Sequence, residues 1–567
     1  MSKKLNKIVI IVFATVLVSS IFYGINKFNQ KENYIEASSK NSEETNCLLD
    51  INNYKSVRYI LDDKNNKENK EDEETKSNYK YVTWNLQSLY PSDEAWEKDL
   101  SKFEKDISEL DNYTGKVTKS KTHFISALKI KEKLDIKLEK LYAYAKLNKD
   151  INKNSYKYLD MINKIGTVDS KYSRICSDLE LEILKLPDST YNEYLKSKKE
   201  NKRYKMYLEE IRKSKEHYLD EKSEDIINKM GNIVSLPSNV YDLFTNMDKN
   251  SESLHKYISL RKKLLNIEKV HYYDMFAPIV EEQNSEISYD KAISLAYAAL
   301  GPLGDQYEDI AYKAFNEKWV DVYSNENKVG GGYCLSVYAN HPYILLNYDN
   351  SLDSVSTLVH ELGHGVYSYL SQKNQKYYNA QPSIFTHEVA STTNEALLYE
   401  FLIKNAGNDK QKAYYITQYM DFIKDTLYTQ TMYAEFERDV HSMLENNENV
   451  NTLVLNDLWS QLLKKYYGKD FEVDPLAMIG WSRIPHFYNS FYVYKYATGC
   501  SSAISFSQDI LKNGPENYMN FLKKGSSDKP INLLKSAGID LSNKKTIQVS
   551  IDKFNSLLQE LEKLTNN

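Results

Sequence analysis

Trp96, Leu100, Phe103, Ile107 and Leu110 step along the chain by threes and fours, and Leu134, Ile136, Leu138, Leu141 and Tyr144 continue an apolar stripe. That period puts apolar side chains on one face of an α-helix. Glycine numbers 18 and proline 11 in 567 residues, low for a turn-rich sandwich, so the chain is expected to be mainly helical. Hydrophobic residues at 41% and charged residues at 27% exclude global disorder. A net charge of -5 supplies no basic field for nucleic acid. Cys47, Cys176, Cys334 and Cys500 lie far apart with no CxxC, which excludes a disulfide scaffold and argues against a thiolate metal site.

The N-terminus has its own pattern. Lys3, Lys4 and Lys7 precede an uncharged apolar run over residues 8–25, 18 residues long. About 17–25 residues span a bilayer, whereas a secretory h-region has about 7–15. An uncleaved membrane anchor over 1–25 is expected, with cleavage after Val18-Ser19-Ser20 as the alternative and a secreted product in that case. In either case the lysines stay inside and the rest crosses the membrane. Residues 26–78 are polar, and 64–76 hold no apolar side chain, which reads as a solvated tether. Globular composition begins near residue 79.

Turn signals concentrate between Asn325 and Tyr348. Gly330-Gly331-Gly332 precedes Tyr333-Cys334-Leu335, and Ala339-Asn340-His341-Pro342 leads into Tyr343-Ile344-Leu345-Leu346-Asn347-Tyr348. Two short strands joined by a turn are expected, with the glycines serving a flexible loop or hinge. Pro342 suggests that the second strand lies at a sheet edge. An edge there could pair with an extended peptide, with His341, Tyr343 and Leu345 facing it.

The chemistry begins at His360-Glu361-Leu362-Gly363-His364. Two histidines four apart share a helix face and can bind one zinc ion, while Glu361 stands where it can take a proton from water. Asn350 or Ser351 can cap that helix. A catalytic zinc usually has a third protein ligand. The following segment, 384–398, also reads as helical, and Glu388 and Glu395 lie two turns apart on one face. One carboxylate can complete the metal site and the other can orient a ligand histidine. His387 competes as a ligand but faces about 100° away from Glu388.

These residues resemble the oligoendopeptidase F group of zinc metallopeptidases, relatives of thimet oligopeptidase. The likeness includes HELGH at 360–364, Glu388-Val389-Ala390-Ser391-Thr392 and Asn394-Glu395-Ala396-Leu397-Leu398. It continues at Arg483-Ile484-Pro485-His486-Phe487-Tyr488 and 491–499, and upstream at 254–257, 272–278 and 341–348, covering about 81–541. The resemblance implies a mainly α, two-lobed fold with a deep channel and a small β-sheet beside the HExxH helix. It implies one zinc per chain held by His360, His364 and Glu388, with Glu361 as general base and Glu395 supporting a ligand. His486, Tyr492 and Tyr496 would stabilise the oxyanion, with Tyr488 extending that tyrosine face. The expected substrates are short unfolded peptides, because folded proteins cannot enter the channel.

The expected organisation is a helical domain over 79–200, a catalytic domain over 201–550 and a C-terminal helix or tail over 551–567. The catalytic body is expected outside the cytoplasmic membrane. Three features depart from the group. Tyr367 stands where relatives often carry a third histidine, His387 replaces a small apolar residue, and the 330–335 loop lacks the usual serine and tryptophan. The alternative reading is a membrane-anchored peptide-binding protein whose zinc site is retired.

Overall fold

The computed structural model describes residues 82–196, 198–213, 251–282, 286–489 and 491–566. All of them fall in the unit Asp50–Asn567, the second of two compact units. The apolar run at 8–25 and the polar stretch at 26–78 lie outside the described residues. Among the described residues, no helix is long and apolar enough to cross a membrane.

Ser92 opens helix α1 (Asp93–Asp111) by accepting a hydrogen bond from the Ala95 N–H at 3.3 Å, and Asp93 and Glu94 favour its positive end. Its buried residues are Trp96, Leu100, Phe103, Ile107 and Leu110, the stripe that the spacing predicts. Helices α2 (Lys121–Ile151), α3 (Tyr156–Lys185) and α4 (Lys198–Lys213) pack with it. Leu134, Leu141 and Tyr144 of α2 are buried, whereas Ile136 is only half-buried. Residue 136 is about 200° around the helix from Leu134, so it turns off the shared face. Trp96 ties α1 to α2 through a bond to the Leu141 carbonyl at 2.9 Å. The core of these helices continues into Val337, Tyr343 and Leu345.

The sheet has three strands, β1 (Val320–Tyr323), β2 (Tyr333–Leu335) and β3 (Tyr343–Tyr348), in the order β1-β3-β2. β1 runs parallel to β3, and β2 runs antiparallel to it, pairing Tyr333 with Leu345 and Leu335 with Tyr343. The two strands joined by a turn are therefore present, but β3 is central and not an edge. Pro342 precedes the first strand residue, so its missing N–H costs the ladder nothing. Burial of Tyr343, Ile344, Leu345 and Leu346 fits a strand covered on both faces. The outer side of β1 is also occupied, because the Val322 N–H donates to the Val82 carbonyl at 3.0 Å.

The loop of the triple glycine is tied to the sheet by side-chain bonds. Asn347 donates to the carbonyls of Val329 and Gly331 at 2.9 and 2.7 Å, and buried Lys328 pairs with Asp321 at 2.6 Å. Gly332 is required for another reason. A Cβ there would lie 2.8 Å from Thr357 Cγ2 and 3.4 Å from Glu361 Oε1, so the loop presses directly on the motif helix.

Ser351, not Asn350, caps that helix, α5 (Leu352–Asn374), by accepting from the Ser354 N–H at 3.1 Å. Helix α6 (Ile384–Lys404) crosses it at Gly363, whose Cβ would meet Ala390 O and Ser391 Cα at 2.7 Å. Helices α7 (Asp409–Ile423) and α8 (Gln430–Glu445) are joined by a π-helical turn, Lys424–Thr429. Helix α9 (Tyr494–Asn513) presses Gly499 against Glu388, where a Cβ would stand 3.4 Å from Glu388 Cβ. Helix α10 (Lys544–Thr565) keeps Ile547, Ile551, Phe554, Leu558 and Leu561 on one buried face. It runs unbroken across residues 550 and 551, as α4 does across 200 and 201, so neither expected boundary interrupts the helix there.

Candidate active site

The close crossing of α5 and α6 brings four side chains of the motif into one corner. His360 Nε2 lies 3.5 Å and His364 Nε2 3.7 Å from Glu388 Oε2. One ligand atom from each residue can be chosen with all three within 4.8 Å of one another. A tetrahedral ion bonded at about 2.0–2.1 Å holds its ligand atoms about 3.4 Å apart, so these N, N, O donors fit one zinc. His360 presents its other nitrogen, Nδ1, to Glu395 Oε2 at 2.8 Å. Glu395 in turn accepts from Ser356 Oγ at 3.0 Å, so a carboxylate and a hydroxyl orient the imidazole from behind. The two carboxylates that the sequence leaves interchangeable thus separate, with Glu388 facing the donors and Glu395 facing away. Asn394 adds a brace by donating to the Val359 carbonyl at 2.8 Å and accepting from Tyr307 at 2.9 Å.

His387 does not join the donor set. It stacks on His364 with ring centres 4.2 Å apart and lies 3.1 Å from Ser368 Oγ. Tyr367 packs fully buried between His387 and Phe521. The two departures at 367 and 387 therefore meet behind His364.

The electrostatics of the corner suit a cation. Burial pushes Glu361 up to about 7, helped by Glu388 and Glu395 and opposed by His360. Burial likewise raises Glu388. For His360 burial opposes the charge, but Glu395, Glu361 and Glu388 outweigh it and hold the imidazole at about 10. Burial and the neighbouring His387 and His360 drive His364 well below its usual range. Glu361 is 6% exposed and its Oε2 has no hydrogen-bond partner, an unusual state for a buried carboxyl.

His486 sits on the short turn Pro485–Tyr488 before α9. Its Nε2 is 3.3 Å from the Tyr496 hydroxyl, and its ring centre is 5.3 Å from that of Tyr492. Tyr492 and Tyr496 are half-buried, and the charge of Glu388 adds to burial in raising both phenols. The three expected donors thus form one group on the Glu388 side. Tyr488 is 59% exposed.

The residues expected to face a bound peptide are elsewhere. His341 stacks on Trp319 at 5.4 Å and 7°, Tyr343 bonds Ser88 Oγ at 2.5 Å, and Leu345 is fully buried. All three belong to the packing around a central strand, because β2 and β1 occupy both of its edges. Sequence reasoning missed Ser356 and the structural roles of Asn394 and Gly332. Ser356 lies one helical turn before His360, a spacing that could have revealed it. Gly332 had no such cue.

Comparison with known proteins shows what the chain as a whole is similar to. Residues 188–553 match the model of peptidase family M3. The chain is 32% identical to oligopeptidase PepF of Bacillus subtilis (strain 168), over 85% of this chain and 87% of that one. Its fold is similar to that of a putative peptidase from Chlamydophila abortus, with TM-score 0.76 and 28% identity over 85% and 98% of the two chains. It is also similar to oligoendopeptidase-F from Enterococcus faecium, with TM-score 0.62 and 26% identity over 84% and 99%.

Proposed function

From the membership of this chain in peptidase family M3, a family of metallo-oligopeptidases, we propose that it is a zinc endopeptidase acting on short unfolded peptides. The observation that carries the reading is the trio His360, His364 and Glu388 with the unpartnered oxygen of Glu361 beside it.

His360, His364 and Glu388 would hold one zinc, which when bound supplies a Lewis acid for a water and for the scissile carbonyl. Glu361 takes a proton from the attacking water and returns it to the leaving amine. His486, Tyr492 and Tyr496 donate to the carbonyl oxygen as it gains charge. Glu395 fixes the tautomer and direction of His360. β2 has a sheet partner on one side among the described residues, and Gly332 joins it to the Glu361 wall. Its other side can take an extended peptide as an added strand, holding backbone without demanding a sequence. Such pairing needs an unfolded segment of roughly 6–20 residues.

The test uses a quenched peptide with metal analysis of the same preparation. Glu361→Gln is expected to bind zinc normally and to lose at least about 10²-fold in turnover. Wild-type turnover in that variant would remove Glu361 from the mechanism, and zinc without cleavage in the wild type would favour a peptide-binding protein. A peptide length series beside a folded protein tests substrate size, and efficient digestion of the folded protein would overturn it. We further propose that the run at 8–25 anchors the chain with its catalytic body outside the cytoplasmic membrane. Protease added to intact wall-stripped cells should then degrade the body, and protection until lysis would refute this topology.

A further inference from the structure

Tyr433, Glu437 and His441 recur at four-residue steps along α8, and Phe436 lies three beyond Tyr433, so the four fall on one side of the helix. That face lies beneath the turn that carries His486. The Phe487 ring, adjacent to His486, packs on Tyr433 at 5.9 Å and on Phe436 at 5.4 Å. One turn further, Glu437 Oε1 accepts the backbone N–H of Phe491 at 2.5 Å, and His441 stacks on the Phe491 ring at 4.6 Å. Tyr492 follows directly in the chain.

Two observations make Glu437 more than packing. Phe491 has φ 55°, a left-handed conformation that a bulky residue keeps only where its surroundings impose it. Glu437 is 4% exposed, and its second oxygen, Oε2, has no partner. An apolar residue of similar size would avoid the cost of burying that oxygen. The cation whose charge acts on it is Lys495, whose Nζ lies 4.8 Å from the Tyr492 ring centre. Burial drives the Lys495 amine down and Glu437 draws it back up. Burial pushes Glu437 up to about 7, against the Phe491 N–H and Lys495.

We propose that Glu437 is the positioning residue of the oxyanion side: by latching the Phe491 backbone it sets where Tyr492 and Tyr496 stand. It touches no reacting atom and acts through the loop. The inference rests on the peptidase reading above. A misplacement of about 1 Å in a catalytic group can cost 10²-fold, which sets the size of the expected effect.

Glu437→Leu removes the acceptor and fills the volume. It is expected to lower kcat about 10- to 100-fold with KM within about twofold and zinc content unchanged. Glu437→Gln keeps an oxygen for the Phe491 N–H and is expected to restore kcat to within about threefold of wild type. Amide hydrogen exchange gives a readout that needs no catalysis. In Glu437→Leu, exchange should rise over 484–496 while α5 and α6 stay protected. Phe491→Ala keeps the N–H but loses the ring, and serves if Glu437→Leu does not fold. Its kcat is expected to stay within about threefold of wild type, with unchanged exchange over 484–496. The proposal is overturned if Glu437→Leu keeps full kcat, if its loss appears only in KM, if Glu437→Gln falls as far, or if Phe491→Ala loses as much. Absence of hydrolysis by the wild type would instead defeat the peptidase reading, leaving the exchange result to decide the latch.

Discussion

The two sides of the candidate site are built in different ways. The proposed metal side stands on two helices whose backbones meet at Gly363, so every donor has a rigid base, and His360 and Glu388 have hydrogen-bonded supports as well. The proposed oxyanion side stands on a short turn and the start of α9, half-buried and held from beneath by one face of α8. Donors fixed by helix packing should be displaced only when that packing is disturbed, and then together. Donors fixed by a few bonds to a loop should fail singly, in rate alone.

The strongest way to break this contrast is Glu388→Ala. It removes the oxygen shared by both histidine contacts, so bound zinc and hydrolysis should disappear while the fold persists. Metal analysis and circular dichroism check it. Full zinc retention would make Glu388 a bystander, and the same loss in Glu395→Ala or His387→Ala with Glu388→Ala intact would move the third ligand.

Gly363→Ala comes next. Alanine gains about 1 kcal/mol of helix propensity over glycine. The added methyl meets the α6 backbone at 2.7 Å, and overpacking of this kind costs roughly 1–3 kcal/mol, so the repulsion should win. Denaturant unfolding should report lower stability and metal analysis a weaker site. An unchanged or raised midpoint would show that the helices can separate without loss.

The smallest effect is expected from Tyr496→Phe. On the proposed mechanism, losing one donor that shares its task with His486 and Tyr492 should lower kcat about tenfold, near 1.4 kcal/mol, with zinc affinity and stability unchanged. A fall in zinc affinity would sharpen the picture differently. It would mean that α9, which touches Glu388 through Gly499, transmits changes between the two sides.

How far each side could be read from sequence follows the same division. Helical period alone places His360 and His364 on one face, because four residues make about one turn, with Glu361 beside them. The same period pairs Glu388 with Glu395 but cannot say which faces the metal. That depends on where α6 crosses α5, a tertiary contact made by Gly363 and Ala390. The helical fold and the small sheet were legible from spacing and turns. The strand order was not, since Pro342 is compatible with an edge and with the start of a central strand, and only the pairing with β1 decides. His341, Tyr343 and Leu345 were misplaced for that reason. His486, Tyr492 and Tyr496 came from resemblance. Glu437 was invisible, because its partner is a backbone N–H 54 residues away.

The core shared by α1–α4 with Val337, Tyr343 and Leu345 also governs how a nascent chain must behave. The ribosome delivers the four helices first, and the residues that seal them follow roughly 130 positions later, about 6–25 s at 5–20 residues per second. Local helix pairing can proceed during that wait, but an apolar face stays uncovered until β3 arrives. Closing so long a loop adds only logarithmically to the entropy cost, so delay and not thermodynamics is the hazard. A chain interrupted before Val337 therefore presents a sticky, half-finished surface, and its fate in the cell depends on what covers that surface in the meantime.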